Sequence, residues 1–334
     1  MHRAPTPDFY QHRGHYRAAC RRTPVPRFRC KTCNRWFSRQ TFRLDCGDHR
    51  PECNERLFAL LTSGVGLRQS ARLLRMGVSA VQRKFRKLAR NLRLLNRNLL
   101  DRLPPDRCYL LDEIESFEER SIQRLTVPVL IEKESFAVLA TGVAPIRRVP
   151  RRGSRKQRWL ANQEMLHGRR RDRGRQCVRK VFGRLQRLLS GQRGTLLTDE
   201  KALYAALARA MVPQLEHATV PGSNVRNTIN PLFPINLTDA MLRDNNGRLR
   251  RRSWLVSKKG RYLALQLELF AAYRNWHRPR TNRDDPEFTP GMQLGLVTRK
   301  LSVSELLGWR QDWRGRSIHP ASFSGGETVR QRVA

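Results

Sequence analysis

The sequence predicts an α/β catalytic-type domain with two smaller modules ahead of it. Three observations predict this. Short apolar runs alternate with helix-patterned segments from residue 108 onward. Residues 54–100 carry apolar side chains at helical spacing, broken by a glycine-containing turn. Residues 1–53 are polar and turn-rich and hold five of the seven cysteines. The implied division is a ribbon-like segment (1–53), a helical module (54–103), an α/β domain (104–277) with a basic insertion (147–175), and a C-terminal extension (278–334).

Charge narrows the class of function. Against 67 Lys and Arg stand 28 Asp and Glu, a formal net charge of +39. Such an excess meets a polyanion or repels itself, and it is not the balance of an ordinary metabolic enzyme. At 39% hydrophobic residues the chain has enough apolar mass for real cores. The longest uncharged stretches, such as Ser135 to Ile146, fall short of the roughly 20 apolar residues of a membrane span. Residues 1–10 lack an apolar signal core. The expectation is a cytoplasmic, nucleoid-associated protein with no membrane partner.

In the first segment, Cys30-Lys-Thr-Cys33 precedes Trp36-Phe37. Two thiolates at this spacing make half of a tetrahedral Zn²⁺ site. His12, His15 and Cys20 upstream, or Cys46 and Cys53 downstream, are the candidates to complete it. The alternative is a degenerate ribbon held by its small core with free thiols. Cys108 and Cys177 sit in apolar or helical contexts and read as small core residues.

The helical module reads as Glu55–Leu61, then Leu67–Leu74, a turn at Arg75-Met76-Gly77 with Gly supplying a left-handed residue, and a basic helix capped by Ser79 and running to about Arg93. Helix, turn and capped basic helix is the layout that seats a recognition helix in the DNA major groove. Ser79, Gln82 and Arg83 are expected near base edges, with Lys84 and Lys87 on the same basic helix.

The α/β domain begins with strand-like runs at Cys108–Leu111, Thr126–Ile131 and Ser135–Val143. Helical patterns follow at Val178–Leu189 and Leu203–Met211, with strand runs at Thr195–Thr198 and Glu216–Val220. Two further helices are expected over Asn236–Arg252 and Arg261–Trp276. Two strand runs end in acids, Asp112-Glu113 and Asp199-Glu200. Adjacent strands would bring Asp112 and Asp199 together, where they repel unless a cation lies between them. Mg²⁺ or Mn²⁺ suits such oxygen ligands and serves phosphoryl transfer. Glu115, Glu118 and Glu119 read as a solvated helix or loop face. A third ligand would come from the later helix, where Asn236, Asp239 and Arg243 share a face and Asn236 also competes as N-cap. Arg248, Arg251 and Lys258 follow as expected phosphate contacts. Leu301 to Trp313 is expected either to pack back on the core or to make a dimer contact, and Ser317–Ala334 to be disordered.

Taken in order, these segments resemble a family. Arg27 to Cys33 with Trp36-Phe37-Ser38 and Gln40-Thr41-Phe42, Gly64 to Leu74, Leu110 to Glu113, Leu197-Thr198-Asp199, Pro231 to Pro234, and Arg248-to-Trp254 with Ser257-Lys258 are similar to bacterial insertion-sequence transposases of the DDE class, in the group with an N-terminal zinc ribbon and helix-turn-helix. The similarity spans most of residues 9–314. It implies a ribonuclease-H-like core, catalytic Mg²⁺ or Mn²⁺, and double-stranded DNA as partner, with transposon ends cleaved and joined to a target by a homo-oligomer. Asp112 matches the family's first aspartate and Asp199 its second. The chain departs from the pattern twice. No Cys-x-x-Cys precedes Phe9, and the position of the family's glutamate holds Asn236, leaving Asn236, Asp239 and Asp244 as candidates. A catalytically inactive, transposase-derived DNA-binding regulator is the alternative reading.

Overall fold

The computed structural model describes residues 8–21, 23–104, 106–225, 227–250 and 255–310. Its first unit is a three-stranded antiparallel sheet of β1 (Tyr10–Tyr16), β2 (Val25–Cys30) and β3 (Trp36–Ser38). So small a sheet cannot bury much, and rings do most of the packing. Phe28 stacks on Phe37 at 5.4 Å, Phe9 on Phe37 at 5.9 Å, and Tyr10 meets Phe28 edge-on at 5.1 Å.

Three helices follow, α1 (Cys53–Thr62), α2 (Leu67–Leu73) and α3 (Val78–Leu100). The helix–turn–helix order agrees with the sequence, but two local expectations are corrected. Gly77, in an extended conformation, takes the N-cap position of α3, and Ser79 lies inside the helix. The left-handed residue of the turn is Arg75, at φ 49°. The helix also runs to Leu100, because Phe85, Leu88, Leu92, Leu95 and Leu99 keep one continuous buried stripe. Between α1 and α2, Gly64 sits at φ +79°, where an added Cβ would lie 2.9 Å from the Arg250 guanidinium and 3.1 Å from the Asp244 carbonyl oxygen. Gly64→Ala is therefore expected to cost about 1–2 kcal/mol, read as a lowered urea midpoint.

The main unit is a mixed α/β layer structure. Its sheet holds β4 (Cys108–Phe117), β5 (Arg124–Glu132), β6 (Val138–Thr141), β7 (Ala144–Pro145), β8 (Gly194–Thr198) and β9 (Leu215–Thr219). The order is β6-β5-β4-β8-β9, with β7 paired to β5. β5 runs antiparallel to β4 and β6, whereas β4, β8 and β9 are parallel. The helices are α4 (Arg155–His167) in the basic insertion, α5 (Gly174–Leu189), α6 (Ala202–Met211), α7 (Phe233–Asp244) and α8 (Gly260–Trp276). α5 precedes β8 and α6 links β8 to β9, as parallel neighbours require. Helices cover both faces, so β5 is apolar and buried almost throughout.

Several boundaries shift from those expected. α7 starts three residues before Asn236 and ends at Asp244; Leu232 holds its N-cap position, so Asn236 is not the cap. β4 continues to Phe117, which puts Glu115 in a strand rather than on a helix or loop face. α8 packs along both α3 and β6. One apolar cluster runs from Leu57 and Phe85 through Tyr109 and Phe182 to Trp276 and Trp309. The helical module and the sheet thus share a core.

The C-terminal extension packs back. α9 (Pro290–Gln293) and α10 (Val303–Gly308) close over α1, α3 and α8, and Leu306, Leu307 and Trp309 are buried. Ser302 and Glu305 form a reciprocal capping box at the start of α10. Trp313 and the segment 317–334 lie outside the described residues, as does Arg251. Among the described residues no helix is long and apolar enough to cross a membrane.

Candidate active site

Register places the two aspartates together. Leu110 of β4 and Leu197 of β8 are parallel partners. Two residues further on, the same register sets Asp112, midway along β4, beside Asp199, the residue that follows the end of β8. Both line a cleft of about 470 Å³, with Glu113, Glu200, Lys201 and Arg148. Backbone donors orient them. The Glu113 N–H donates to Asp112 Oδ1 at 2.6 Å, and the Lys201 N–H donates to Asp199 Oδ1 at 3.1 Å.

A third carboxylate comes from α7. Leu110 and Ile114 share a cluster with Ile235 and Leu242, so α7 covers the face of β4 to which Asp112 also belongs. Asp239 is only 7% exposed, and its Oδ1 is buried without a hydrogen-bond partner. Burial raises its carboxyl well above the ordinary range, and the charge of Asp112 adds to the rise, against a smaller opposing pull from Arg243. The two acids therefore sense each other. Asn236 lies one helical turn earlier and is half-buried.

The adjacent acid Glu113 sits on the alternate side of the β4 pleat and borders the same cleft from there. It accepts from Tyr204 at 2.9 Å and from Thr126, and it pairs with Lys201. Tyr204 is fully buried, and its phenol is pushed strongly upward by burial and by the Glu113 carboxylate. Sequence reasoning did not single out this Glu113–Lys201–Tyr204 group. Its only signal was the Asp-Glu adjacency, which on a strand sends the two acids to opposite faces.

The basic helix divides into an outward and an inward set. Ser79 and Arg83 are exposed. Gln82 donates to the Tyr262 hydroxyl at 2.9 Å. Lys84 does not face solvent, correcting its expected role. It donates to Asp48 and to Asn54, each at 2.8 Å, and so ties α3 to the ribbon segment. Lys87 reaches the same Asp48 and the Cys46 carbonyl. Burial opposes ionisation of Asp48, but the bonds from Lys84, Lys87 and Asn54 outweigh it and hold its carboxyl below the usual range. Arg248 is likewise turned inward. Its guanidinium lies 5.9 Å from both the Phe85 and Tyr262 rings and donates to Ser257. Lys258 is exposed.

The basic insertion projects from the domain. Ser154 caps α4, and none of the helix is buried. Arg148–Glu115 and Arg170–Glu118 tether it to the domain, and Arg147–Glu164 braces it internally. Glu118 is thus a half-buried anchor, whereas Glu115 pairs with Arg148 and stays exposed, as a solvated face would.

The knuckle retains its turn. The Asn34 N–H donates to the Cys30 carbonyl and Asn34 is left-handed at φ 57°. Cys30 is buried and Cys33 exposed. Among the described residues no three His, Cys, Asp or Glu side chains converge as a metal-holding group, at the knuckle or at the carboxylate cleft. A zinc site would need four such side chains together, and at the knuckle aromatic packing by Phe9 and Tyr10 stabilises the adjoining strands. A hexahydrated cation such as Mg²⁺ differs, because it keeps several waters and takes only one or two carboxylates plus substrate phosphates. The chain matches no protein-family model and no curated protein.

Proposed function

We propose that the chain is a DNA transposase with a ribonuclease-H-like core, cleaving and joining DNA strands where the middle of β4 adjoins the carboxyl end of β8. The observation that carries this reading is the pairing of Asp112 with Asp199 by the β4–β8 register, with Asp239 buried within reach of the charge of Asp112, in a protein with net charge +39. The strand order, with a central strand flanked by one antiparallel and one parallel neighbour, agrees with that core. Asp239, rather than Asn236, is the third acid of this reading. Its orphaned buried oxygen, near the charge of Asp112, suits a divalent cation, which Asp112 would hold with one neighbouring carboxylate, Asp199 or Asp239, and substrate phosphates. Such an ion, Mg²⁺ or Mn²⁺, would activate a water or 3′-hydroxyl and stabilise the leaving oxygen.

The protein's own residues supply the rest. Glu113, held by Lys201 and Tyr204, fixes β4 from the alternate side of its pleat. Arg83 and Ser79 on α3, Lys258 before α8 and the basic insertion form the exposed cationic surface that holds the duplex. Two ends must be held together for joining, so a homo-oligomer assembled on DNA belongs to the same proposal.

The two halves of α3 give a separable test. Arg83→Ala is expected to weaken duplex binding and reduce its salt dependence by about one counterion, with the melting temperature unchanged. Lys84→Ala is expected to cost about 1–3 kcal/mol of stability, because Asp48 is left under-paired in a buried site. Equal loss of DNA affinity at both positions, with no change in stability, would refute the inward assignment of Lys84. A DNA-binding regulator without catalysis is the second reading, favoured by Asn236 standing where the resemblance expects a glutamate. Strand cleavage that survives loss of Asp112 would count against the first reading.

A further inference from the structure

A second cleft, away from the carboxylates, has the opposite charge. It lies between the edge strand β6, the segment 142–145, α5, the end of α3 and the middle of α8, and encloses about 530 Å³. Arg97, Arg173, Lys180, Arg184 and Arg187 line it, with Glu268 as the one carboxylate. That carboxylate is already shared, for Arg93, Arg97 and Arg184 all act on it. Burial lowers the Arg97 guanidinium; Glu268 counters this, while Arg93, Arg184 and Arg187 lower it further.

Arg184 is the most telling residue. Its side chain is 12% exposed, and Nη1 pairs with Asp101 at 2.8 Å. Its Nη2 is buried without a hydrogen-bond partner. A guanidinium with an unused buried donor, set among four other cations, is built for an anion that brings several acceptor oxygens. Guanidinium forks match phosphate oxygens bidentately. The volume exceeds what one inorganic phosphate fills and falls within the range of organic ligand clefts.

We propose that this cleft is a second anion site, binding a phosphate ester chain, whether nucleic-acid backbone or a free nucleotide-like polyphosphate. It stands apart from the carboxylate chemistry and does not require it. If the source is nucleic acid, the cleft holds backbone along α5 while the aspartates act elsewhere on the same molecule. If the source is a free polyphosphate, the site is a ligand pocket on a DNA-binding protein.

The test uses the full-length protein and inorganic triphosphate as probe, by calorimetric titration at near-physiological salt. Lys180→Glu with Arg187→Glu changes two exposed residues of the cleft, so the fold is retained. Arg209→Glu with Arg283→Glu, two exposed residues outside both clefts, is the charge-matched control. The cleft variant is expected to weaken triphosphate binding about 10-fold or more, and the control by about 2-fold or less. Competition with a labelled duplex then separates the sources. Displacement of the duplex by triphosphate, with both bindings lost in the cleft variant, assigns the site to backbone. Loss of triphosphate binding with duplex affinity intact assigns it to a free polyphosphate. Equal weakening by both variants, or no binding by the wild-type protein, overturns the proposal. None of these readouts depends on strand cleavage, so their failure is distinct from failure of the catalytic reading.

Discussion

Asp112→Asn is expected to lower metal-dependent DNA cleavage by about 10³-fold or more while leaving duplex affinity and the fold unchanged. The size follows from the role proposed for the carboxylate. Removing one preorganised electrostatic partner of a transition state already costs about 10²–10³-fold, and Asp112 would hold the ion itself. The fold should survive because Asn keeps the shape of the side chain within β4 and still accepts the bond from the Glu113 N–H. Gel electrophoresis of nicked and linear products, alongside a binding isotherm, measures both. The corresponding change at Glu113 separates the faces of β4. Glu113→Gln weakens the contacts to Lys201 and Tyr204, so it should lower stability as well as rate.

The second large effect is at Asp239 and is thermodynamic. Its carboxyl is raised in the folded state by burial first and by Asp112 second. A group whose folded value lies above its unfolded value favours folding below the unfolded value and loses that contribution as pH rises through the folded value. The metal-free protein should therefore lose stability as pH climbs above the ordinary aspartate range. Asp239→Asn removes the titration and the repulsion of Asp112, so the metal-free variant should melt higher than wild type at neutral pH. Each kcal/mol regained is worth roughly 2–4 °C in a domain of this size. Mg²⁺ or Mn²⁺ should raise the wild-type melting temperature by mass action and have little effect on Asp239→Asn. A variant that melts lower than wild type, with the same response to metal, would contradict the placement of Asp239 in the site. Asn236→Ala is the companion variant and should retain the metal response.

Much of the fold was legible because periodicity reports burial. The runs at 126–131, 178–189, 195–198 and 261–276 became β5, α5, β8 and α8 with ends moved by a few residues at most. Asp112 and Asp199 were legible because each acid ended an apolar strand run. The less legible parts depend on partners distant in sequence. Lys84 looks like any other basic residue of α3, and only the fold brings Asp48 and Asn54 to it. Arg248 reads as a phosphate contact until Phe85 and Tyr262 close around it. Asn236 and Asp239 share a helical face, so spacing alone leaves both open. Burial against β4 and the charge of Asp112 single out Asp239. The turn before α3 misled for a local reason. Glycine invites a left-handed reading, but here Arg75 takes that conformation and Gly77 starts the helix in extended form.

The most direct measurement is strand joining by the full-length protein. Its substrates are DNA duplexes from either side of its own reading frame, ending in a free 3′-hydroxyl, and a supercoiled plasmid as target, with Mg²⁺ or Mn²⁺ present. The transposase reading predicts covalent joining of end to plasmid by the wild type and by Asn236→Ala. It predicts none by Asp112→Asn, Asp199→Asn or Asp239→Asn. Tight, salt-sensitive binding of the ends with no joining by the wild type in either metal would contradict it and leave a DNA-binding protein without catalysis.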